Sequence, residues 1–243
     1  MQVPAGPRVL SFAPEEIDRE AVEAVAWKTY TRRREAEFIF SRFGAKRFER
    51  ALELGAGDGK QSVTLAGYCG ALVCTELDGK RLRPRGIPNV ECRVCDAEDL
   101  SAFPDGSFDL VYSSNLLEHL AHPVRALEES KRVLKPGGLI IAVVPSRTWK
   151  VFNFLLAPLR PVVPRVHGRS FEHVGEYVRF GRRHWERTFR RAGLRLLETL
   201  SLPFGMGHGP RFRALLRFGN RMGLSGSTVF ILDAGEAVET GRA

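Results

Sequence analysis

Three glycines alternate with other residues in the segment Gly55-Ala56-Gly57-Asp58-Gly59, directly after the apolar run Arg50–Leu54. Glycines at this spacing leave backbone amides open to a ligand at the start of a helix. The two common phosphate-binding loops are excluded, because Lys60 stands where G-x-G-x-x-G requires glycine and is at the wrong offset for G-x-x-x-x-G-K-[ST]. Glu53 would also repel a nearby pyrophosphate. The segment therefore indicates a ligand that carries an ammonium group.

Candidate bases occur further along the chain, for an acceptor that must lose a proton. They are Glu118, His119, His122, Glu172 and His173. Each histidine could instead hold a loop in place, because position in the sequence does not establish reach to a substrate proton.

Strand and helix patterns alternate around these residues. Strands are predicted at 50–54, 71–75, 90–94, 108–113, 139–144, 194–200 and 228–232. Helices are predicted at about 14–43, 60–68, 124–134 and from about 182, and on an apolar stripe at 212–222. Such alternation is typical of a parallel sheet with helices on both sides.

The composition is that of a globular protein, with 44% apolar and 27% charged residues in a chain of 243. The longest aliphatic run, Leu139–Val144, has six residues, against about 20 needed to cross a bilayer. The first residues do not form an apolar stretch of the kind found in signal peptides. We therefore expect a cytoplasmic protein.

The four cysteines do not form a complete metal site. Cys92 and Cys95 have the spacing of half a zinc site, but no second pair supplies the other ligands. Residues three apart in a strand also point to opposite faces. We expect no metal, and thiols that fill space in a reducing compartment.

Positive charge is concentrated in the last part of the chain. Residues 1–145 carry a net charge of −1 and residues 146–243 a net charge of +10. Arg213, Arg217 and Arg221 share a helical face, which could bind an anionic membrane surface or remain solvated. The apolar segment 149–160 could be a lid, a membrane-surface patch or core.

Five further blocks, together with the glycine segment, resemble the class I S-adenosylmethionine-dependent methyltransferases, in particular their type 11 subfamily. The segment from Glu53 to Gly59 matches the first motif, E/D-x-G-x-G-x-G. The other matching blocks are Thr75–Leu77, Cys95–Leu100, Phe103–Asp109, Ser113–His119 and Leu134–Gly138. The resemblance is close over roughly 45–145 and loose over 170–232.

The resemblance implies S-adenosylmethionine as cofactor and assigns roles to individual residues. Glu53 would face the amino group of the cofactor, Glu76 its ribose hydroxyls, and Asp96 its adenine amine. Asp78 is an alternative ribose ligand. The complete predicted cofactor set is Glu53, Gly55, Ala56, Gly57, Gly59, Glu76, Leu77, Asp96, Ala97 and Asn115. His119 and His173 are the predicted catalytic residues.

The implied fold is α/β: a Rossmann-like, doubly wound, seven-stranded sheet, mostly parallel with an antiparallel last strand. A helical extension is predicted at 1–44, the cofactor-binding core at 45–145 and a substrate-cover insertion at 146–180. Residues 181–233 would complete the sheet, and 234–243 would form a tail.

The predicted activity is methyl transfer to a small-molecule, lipid-linked or glycan-type acceptor, at oxygen. The [DN]-P-P-[YF] signature of base-amine methylation is missing, since Ser114-Asn115-Leu116-Leu117 stands there. An RNA-directed methyltransferase and a non-catalytic protein that binds S-adenosylmethionine remain alternatives. A cytoplasmic enzyme of this kind could also bind peripherally to a membrane. The sequence does not indicate an oligomeric state.

Overall fold

The computed structural model describes residues 24–44, 47–82, 86–148, 151, 177, 180–203 and 225–235. Within these residues seven strands form one sheet, and four α-helices pack on it. The strands are β1 (Phe48–Leu54), β2 (Cys69–Glu76), β3 (Val90–Val94), β4 (Phe108–Ser114), β5 (Leu134–Pro145), β6 (Arg195–Pro203) and β7 (Ser225–Asp233). The helices are α1 (Ala24–Phe40), α2 (Lys60–Leu65), α3 (Pro123–Val133) and α4 (Arg182–Arg191).

The sheet has the order β3-β2-β1-β4-β5-β7-β6. Strands β1 to β5 are parallel, and β7 runs antiparallel to both of its neighbours, β5 and β6. This arrangement confirms the predicted fold class, including the antiparallel last strand. The chain leaves β1 toward β2 and β3, then returns to β4 on the other side of β1. Ligands of open α/β sheets bind at such a reversal, beyond the carboxyl ends of the strands.

Alternate residues of the central strands serve two hydrophobic layers, one on each face of the sheet. In β1, Leu52 and Leu54 belong to the layer that contains Leu127 of α3 and Trp185 of α4. The preceding residue, Ala51, belongs to the layer that contains Ile39 of α1. The period-two alternation of a strand explains why one run of apolar residues can serve both layers.

Helix α3 follows from simple sequence signals. Pro123 occupies its first turn, where a missing amide is tolerated. Ala126, Leu127, Ser130 and Val133 form its buried face. Within the described part of the chain, no helix combines the length and the apolar character that a bilayer span requires.

Several predicted boundaries are wrong by a few residues, among them the end of the helix after β1 and the start of β5. The helix expected at 60–68 ends at Leu65 and continues as a short 3₁₀ turn over Ala66–Tyr68. The strand expected at 139–144 begins at Leu134, because the chain becomes extended directly after α3. The Pro-Gly-Gly stretch is accommodated by a register irregularity, in which Leu134 pairs with Phe108 and Leu139 with Leu110.

Several predictions lie outside the described residues. They include the helical stripe at 212–222 with Arg213, Arg217 and Arg221, nearly all of the segment at 149–160, most of the insertion at 146–180, and the start of the first helix.

Candidate functional site

A pocket of about 950 Å³ opens beyond the carboxyl ends of β1 and β4. Six of the predicted site residues line it: Glu53, Gly55, Ala56, Gly57, Asn115 and His119. Further lining residues include Arg32, Gln61 and Ser114, together with charged side chains near the glycine loop. The structure thus brings these six residues together around one pocket and places further residues beside them.

The glycine loop needs glycine for two different reasons. Gly55, Gly57 and Gly59 have φ values of +67°, +59° and +72°, a region that side chains rarely adopt. At Gly55 a Cβ would lie 2.8 Å from Leu116 Cδ1, so a larger residue would force the Leu116 side chain to move. At Gly57 a Cβ would meet only Arg81 Nη2, at 3.5 Å, so this backbone is open to a ligand.

Glu53 is a buried acid beneath this loop. Its side chain accepts a 2.5 Å hydrogen bond from Ser62 Oγ of α2, and its residue is 3% exposed. Burial raises the pKa of Glu53 to about 7, although the Ser62 hydrogen bond favours the charged form. A cation placed nearby would stabilise the carboxylate and lower this pKa. The residue is therefore suited to an ammonium group.

Glu76, the last residue of β2, contacts the same loop. Its Oε2 accepts a hydrogen bond from the Gly57 amide at 2.9 Å, and Arg81 Nη1 lies 3.6 Å from its Oε1. Asp78, the alternative ribose ligand, is exposed and accepts a hydrogen bond from the Lys80 amide. Position and contacts therefore favour Glu76 over Asp78.

The remaining predicted cofactor residues do not line the pocket. Asp96 is exposed, and its Oδ1 accepts a hydrogen bond from the Glu98 amide at 2.9 Å. Ala97 is buried and Leu77 is exposed, while Gly59 is buried at the start of α2. The Cys95 amide donates to the Glu76 carbonyl at 3.1 Å. Asp96 and Ala97 thus follow β3 and lie near the end of β2, and neither lines the pocket.

Asn115 has an unusual backbone conformation. Its φ of +52° makes it the only non-glycine residue with positive φ in the described part of the chain. Asparagine tolerates this region better than most residues. Its amide donates to the Val143 carbonyl at 2.8 Å, which fixes the turn after β4. The side-chain oxygen of Asn115 faces Arg32 and accepts hydrogen bonds of 2.7 and 2.6 Å from its guanidinium group.

Arg32 lines the pocket, and sequence reasoning missed it. It extends from α1, donating to Glu35 Oε2 at 2.8 Å and to Ser114 Oγ at 3.1 Å. Burial disfavours its charge, but the carboxylate of Glu35 and other nearby groups together outweigh this effect, so the pKa of Arg32 is raised. Glu35 is itself 2% exposed. The run Arg32-Arg33-Arg34-Glu35 resembles a solvated charged face, and no sequence signal separated Arg32 from its neighbours.

His119 is the predicted catalytic residue that reaches the pocket. It ends the short 3₁₀ turn Leu117–His119, and its Nε2 lies 3.8 Å from Oε1 of the buried Glu118. The His122 amide instead donates to Glu98 Oε1 at 2.9 Å, which anchors the chain entering α3. His173 and Glu172 lie outside the described residues. Among those described, no three histidine, cysteine or acidic side chains are grouped to hold a metal ion.

Comparison with known proteins finds similarity over the part of the chain that contains the glycine loop, Asn115 and His119. Residues 52–142 match the family described as "Methyltransferase domain". The chain is 30% identical over 190 residues to the ubiquinone/menaquinone biosynthesis C-methyltransferase UbiE of Cupriavidus necator, covering 70% of this chain and 76% of that protein. It is 41% identical over 143 residues to the demethylmenaquinone methyltransferase of Clavibacter sepedonicus, covering 54% and 58% of the two chains.

A solved structure shares the fold at low sequence identity. It is an S-adenosylmethionine-dependent methyltransferase from Aquifex aeolicus, with a TM-score of 0.56 and 16% identity over 91% of this chain and 99% of that one. At this identity the likeness shows the fold alone. Together with the UbiE relative and the matching domain, it leads to one conclusion: the chain belongs to the class I methyltransferases, enzymes that use S-adenosylmethionine as methyl donor.

Proposed function

We propose that this enzyme methylates a small acceptor with a hydroquinone-type ring, and that His119 is the base that receives the hydroxyl proton. The observation that carries the proposal is the position of His119 in the same pocket as the glycine loop and Asn115. The acceptor class is suggested by the two relatives, whose names place them in ubiquinone and menaquinone methylation.

The residues on the pocket walls fit the amino-acid part of the cofactor. A carboxylate would be bound by the guanidinium of Arg32, and an ammonium group by Glu53. The open backbone at Gly57 lines the same pocket and leaves room for the ligand. The positive charge of Arg32 and the negative charge of Glu53 match the carboxylate and the ammonium group of an amino acid.

The adenosine part would extend along the ends of β2 and β3. We assign its ribose hydroxyls to Glu76, whose two oxygens can accept from both. Asp96 and the amide of Ala97 would recognise the adenine, with Leu77 and Gly59 shaping the same edge. On binding, the ribose would replace the Gly57 amide or Arg81 as a partner of Glu76.

When bound, S-adenosylmethionine supplies a methyl group on a cationic sulfur, which leaves as a neutral thioether. His119 accepts the proton of the acceptor hydroxyl, and the buried carboxylate of Glu118 stabilises the imidazolium. The resulting phenolate is electron-rich at oxygen and at the adjacent ring carbon. We propose attack from carbon, because the Cupriavidus relative is a C-methyltransferase. Solvent water then takes the proton from that carbon, and the His119 imidazolium returns a proton to the ring oxygen. Attack from carbon departs from the acceptor oxygen that the sequence favoured.

The test uses purified enzyme, S-adenosylmethionine and a short-chain 2-prenyl-1,4-naphthoquinol kept reduced. We expect a product heavier by one methylene. Reoxidation with air distinguishes the two acceptor atoms, because a ring-methylated quinol returns to a quinone and an O-methyl ether does not. Absence of any methylated quinol would refute the acceptor class.

The base is tested by His119→Gln. We expect kcat to fall by roughly 10²–10⁴-fold, the usual contribution of a general base. The affinity for S-adenosylhomocysteine, measured by calorimetry, should stay within about twofold. His122→Gln is the matched control and should retain activity. Wild-type turnover by the His119 variant would show that another group receives the proton.

A further inference from the structure

Two cysteines face each other across neighbouring strands. Cys74 of β2 pairs in register with Cys92 of β3, and their sulfur atoms are 2.9 Å apart. Both are free thiols. Adjacent strands are about 4.8 Å apart, which falls within the ~4.4–6.8 Å between Cα atoms that a disulfide can bridge. The two sulfur atoms need to move only a short distance toward each other to form a disulfide bond.

The other two thiols point elsewhere. Cys69 Sγ donates to the Leu65 carbonyl at 3.3 Å. Cys95 Sγ lies 3.5 Å from the carbonyl oxygens of Asp96 and Asp99. The pair suggested by sequence spacing, Cys92 with Cys95, is therefore not the pair that the fold brings together.

The two facing thiols differ in access to solvent. β3 is an edge strand, and Cys92 is partly exposed, whereas Cys74 is fully buried. Burial raises the pKa of Cys74 to about 12, so this sulfur is a neutral thiol near pH 7. An oxidant from solvent would thus meet Cys92 first.

We propose that Cys74 and Cys92 are a site of reversible oxidation, at which a hydroperoxide converts them to a cross-strand disulfide. The Cys92 sulfur attacks the peroxide oxygen and becomes a sulfenic acid, releasing water or an alcohol. The Cys74 sulfur then attacks the Cys92 sulfur, and water leaves as the disulfide forms. In total the two thiols lose two protons and two electrons, which reduce one hydroperoxide.

The disulfide would join two strands that lead into the cofactor site. Cys74 lies two residues before Glu76, and Cys92 four residues before Asp96. The bond would close a loop over residues 75–91 and so restrict the unfolded chain. The oxidised protein should therefore unfold at a higher temperature than the reduced protein.

The experiment treats the full-length protein with hydrogen peroxide near equimolar concentration, removes the peroxide, and then blocks the remaining thiols with a maleimide in guanidinium chloride, which exposes the buried cysteines. Peptide mapping without reductant should recover Cys74 linked to Cys92, with Cys69 and Cys95 labelled. We expect Tm to rise by about 4 °C or more on oxidation, and to return on reduction with dithiothreitol.

Two variants make the assignment specific. Cys92→Ser should abolish both the crosslink and the rise in Tm, and it replaces a partly exposed residue, so folding can be verified by circular dichroism. Cys95→Ser is the matched control and should retain both. Four labelled thiols after peroxide, or a bond between Cys92 and Cys95, would overturn the proposal.

Discussion

The two walls of the pocket are built in different ways. The loop wall, residues 53–61, is one short segment whose shape depends on backbone conformation at three glycines. The helix wall joins Arg32 of α1 to Ser114 and Asn115, 82 or more positions away, through side-chain hydrogen bonds. A binding surface made of backbone is readable in a sequence, whereas one made of distant side chains depends on the fold.

The walls also differ in charge. The loop wall holds a buried acid whose pKa is about 7, and the helix wall holds a cation kept charged by Glu35. One wall can therefore change its charge near neutral pH and the other cannot. Variants that act on a single wall should separate their contributions to cofactor binding.

The largest effect is expected at the loop wall, for Gly57→Val. The new side chain would enter the ligand space and force a β-branched residue to φ +59°. Affinity for S-adenosylhomocysteine should fall more than about 100-fold, or ~3 kcal/mol, by calorimetry. Gly106→Val is the control, because Gly106 has φ +61° and open space around it. Equal loss of affinity in both variants would assign the effect to backbone strain.

The next largest effect is a dependence of cofactor affinity on pH, which arises from the titration of Glu53. An ammonium ligand requires the carboxylate, so below pH 7 binding must first release a proton. Affinity should weaken by about tenfold per pH unit from 7 to 5, or ~1.4 kcal/mol per unit. Glu53→Gln should flatten this profile. An unchanged slope in the variant would place the titrating group elsewhere.

The free energy of unfolding should change with pH in the opposite direction to the affinity for the ligand. Between pH 4.5 and 7 the folded protein keeps the Glu53 proton that the unfolded chain has released. The free energy of unfolding contributed by this group therefore falls as pH rises through that range. Urea denaturation of the wild type and of Glu53→Gln at several pH values measures the difference, which should widen toward pH 7.

A smaller effect is expected for Glu76→Ala, which leaves the ribose hydroxyls without a charged acceptor. The loss in binding free energy should be about 1–3 kcal/mol. Asp78→Ala, two residues along, should change affinity little because Asp78 is exposed. The reverse ranking of these two variants would mean that Asp78 is the ribose ligand.

The smallest effect on affinity is expected at the helix wall. Arg32→Gln alone leaves the buried Glu35 carboxylate without its partner, so it should also lower Tm. In the double variant Arg32→Gln, Glu35→Gln, stability should recover while affinity stays reduced by roughly fivefold, ~1 kcal/mol. Full recovery of affinity would show that Arg32 supports only the fold.

The sequence predicted the sheet and the loop wall because their signals are local. Apolar runs located all seven strands, and the glycine spacing indicated a ligand-binding loop at Gly55, Gly57 and Gly59, whose φ values are all positive. The identities of Glu76 and Asn115 followed from family motifs, not from periodicity. Their assigned roles stay predictions.

The errors share a physical cause. The start of β5 was placed five residues too late, since helix-breaking residues in Lys135–Gly138 can also continue an extended chain. Arg32 was missed because its place in the pocket depends on Ser114 and Asn115, which are 82 and 83 positions away in the sequence. Likewise Cys92 meets Cys74 through strand register, 18 positions away.

The position of β7 has a consequence for how the protein is made. β7 lies between β5 and β6, although it is the last strand in the chain. During synthesis β6 leaves the ribosome first but has no neighbouring strand in the sheet until residues 225–233 follow it. Strands β1 to β5 can pair as they appear, whereas β6 must wait. A ribosome that stalls between the two would therefore hold an exposed β6, a segment open to aggregation or chaperone binding.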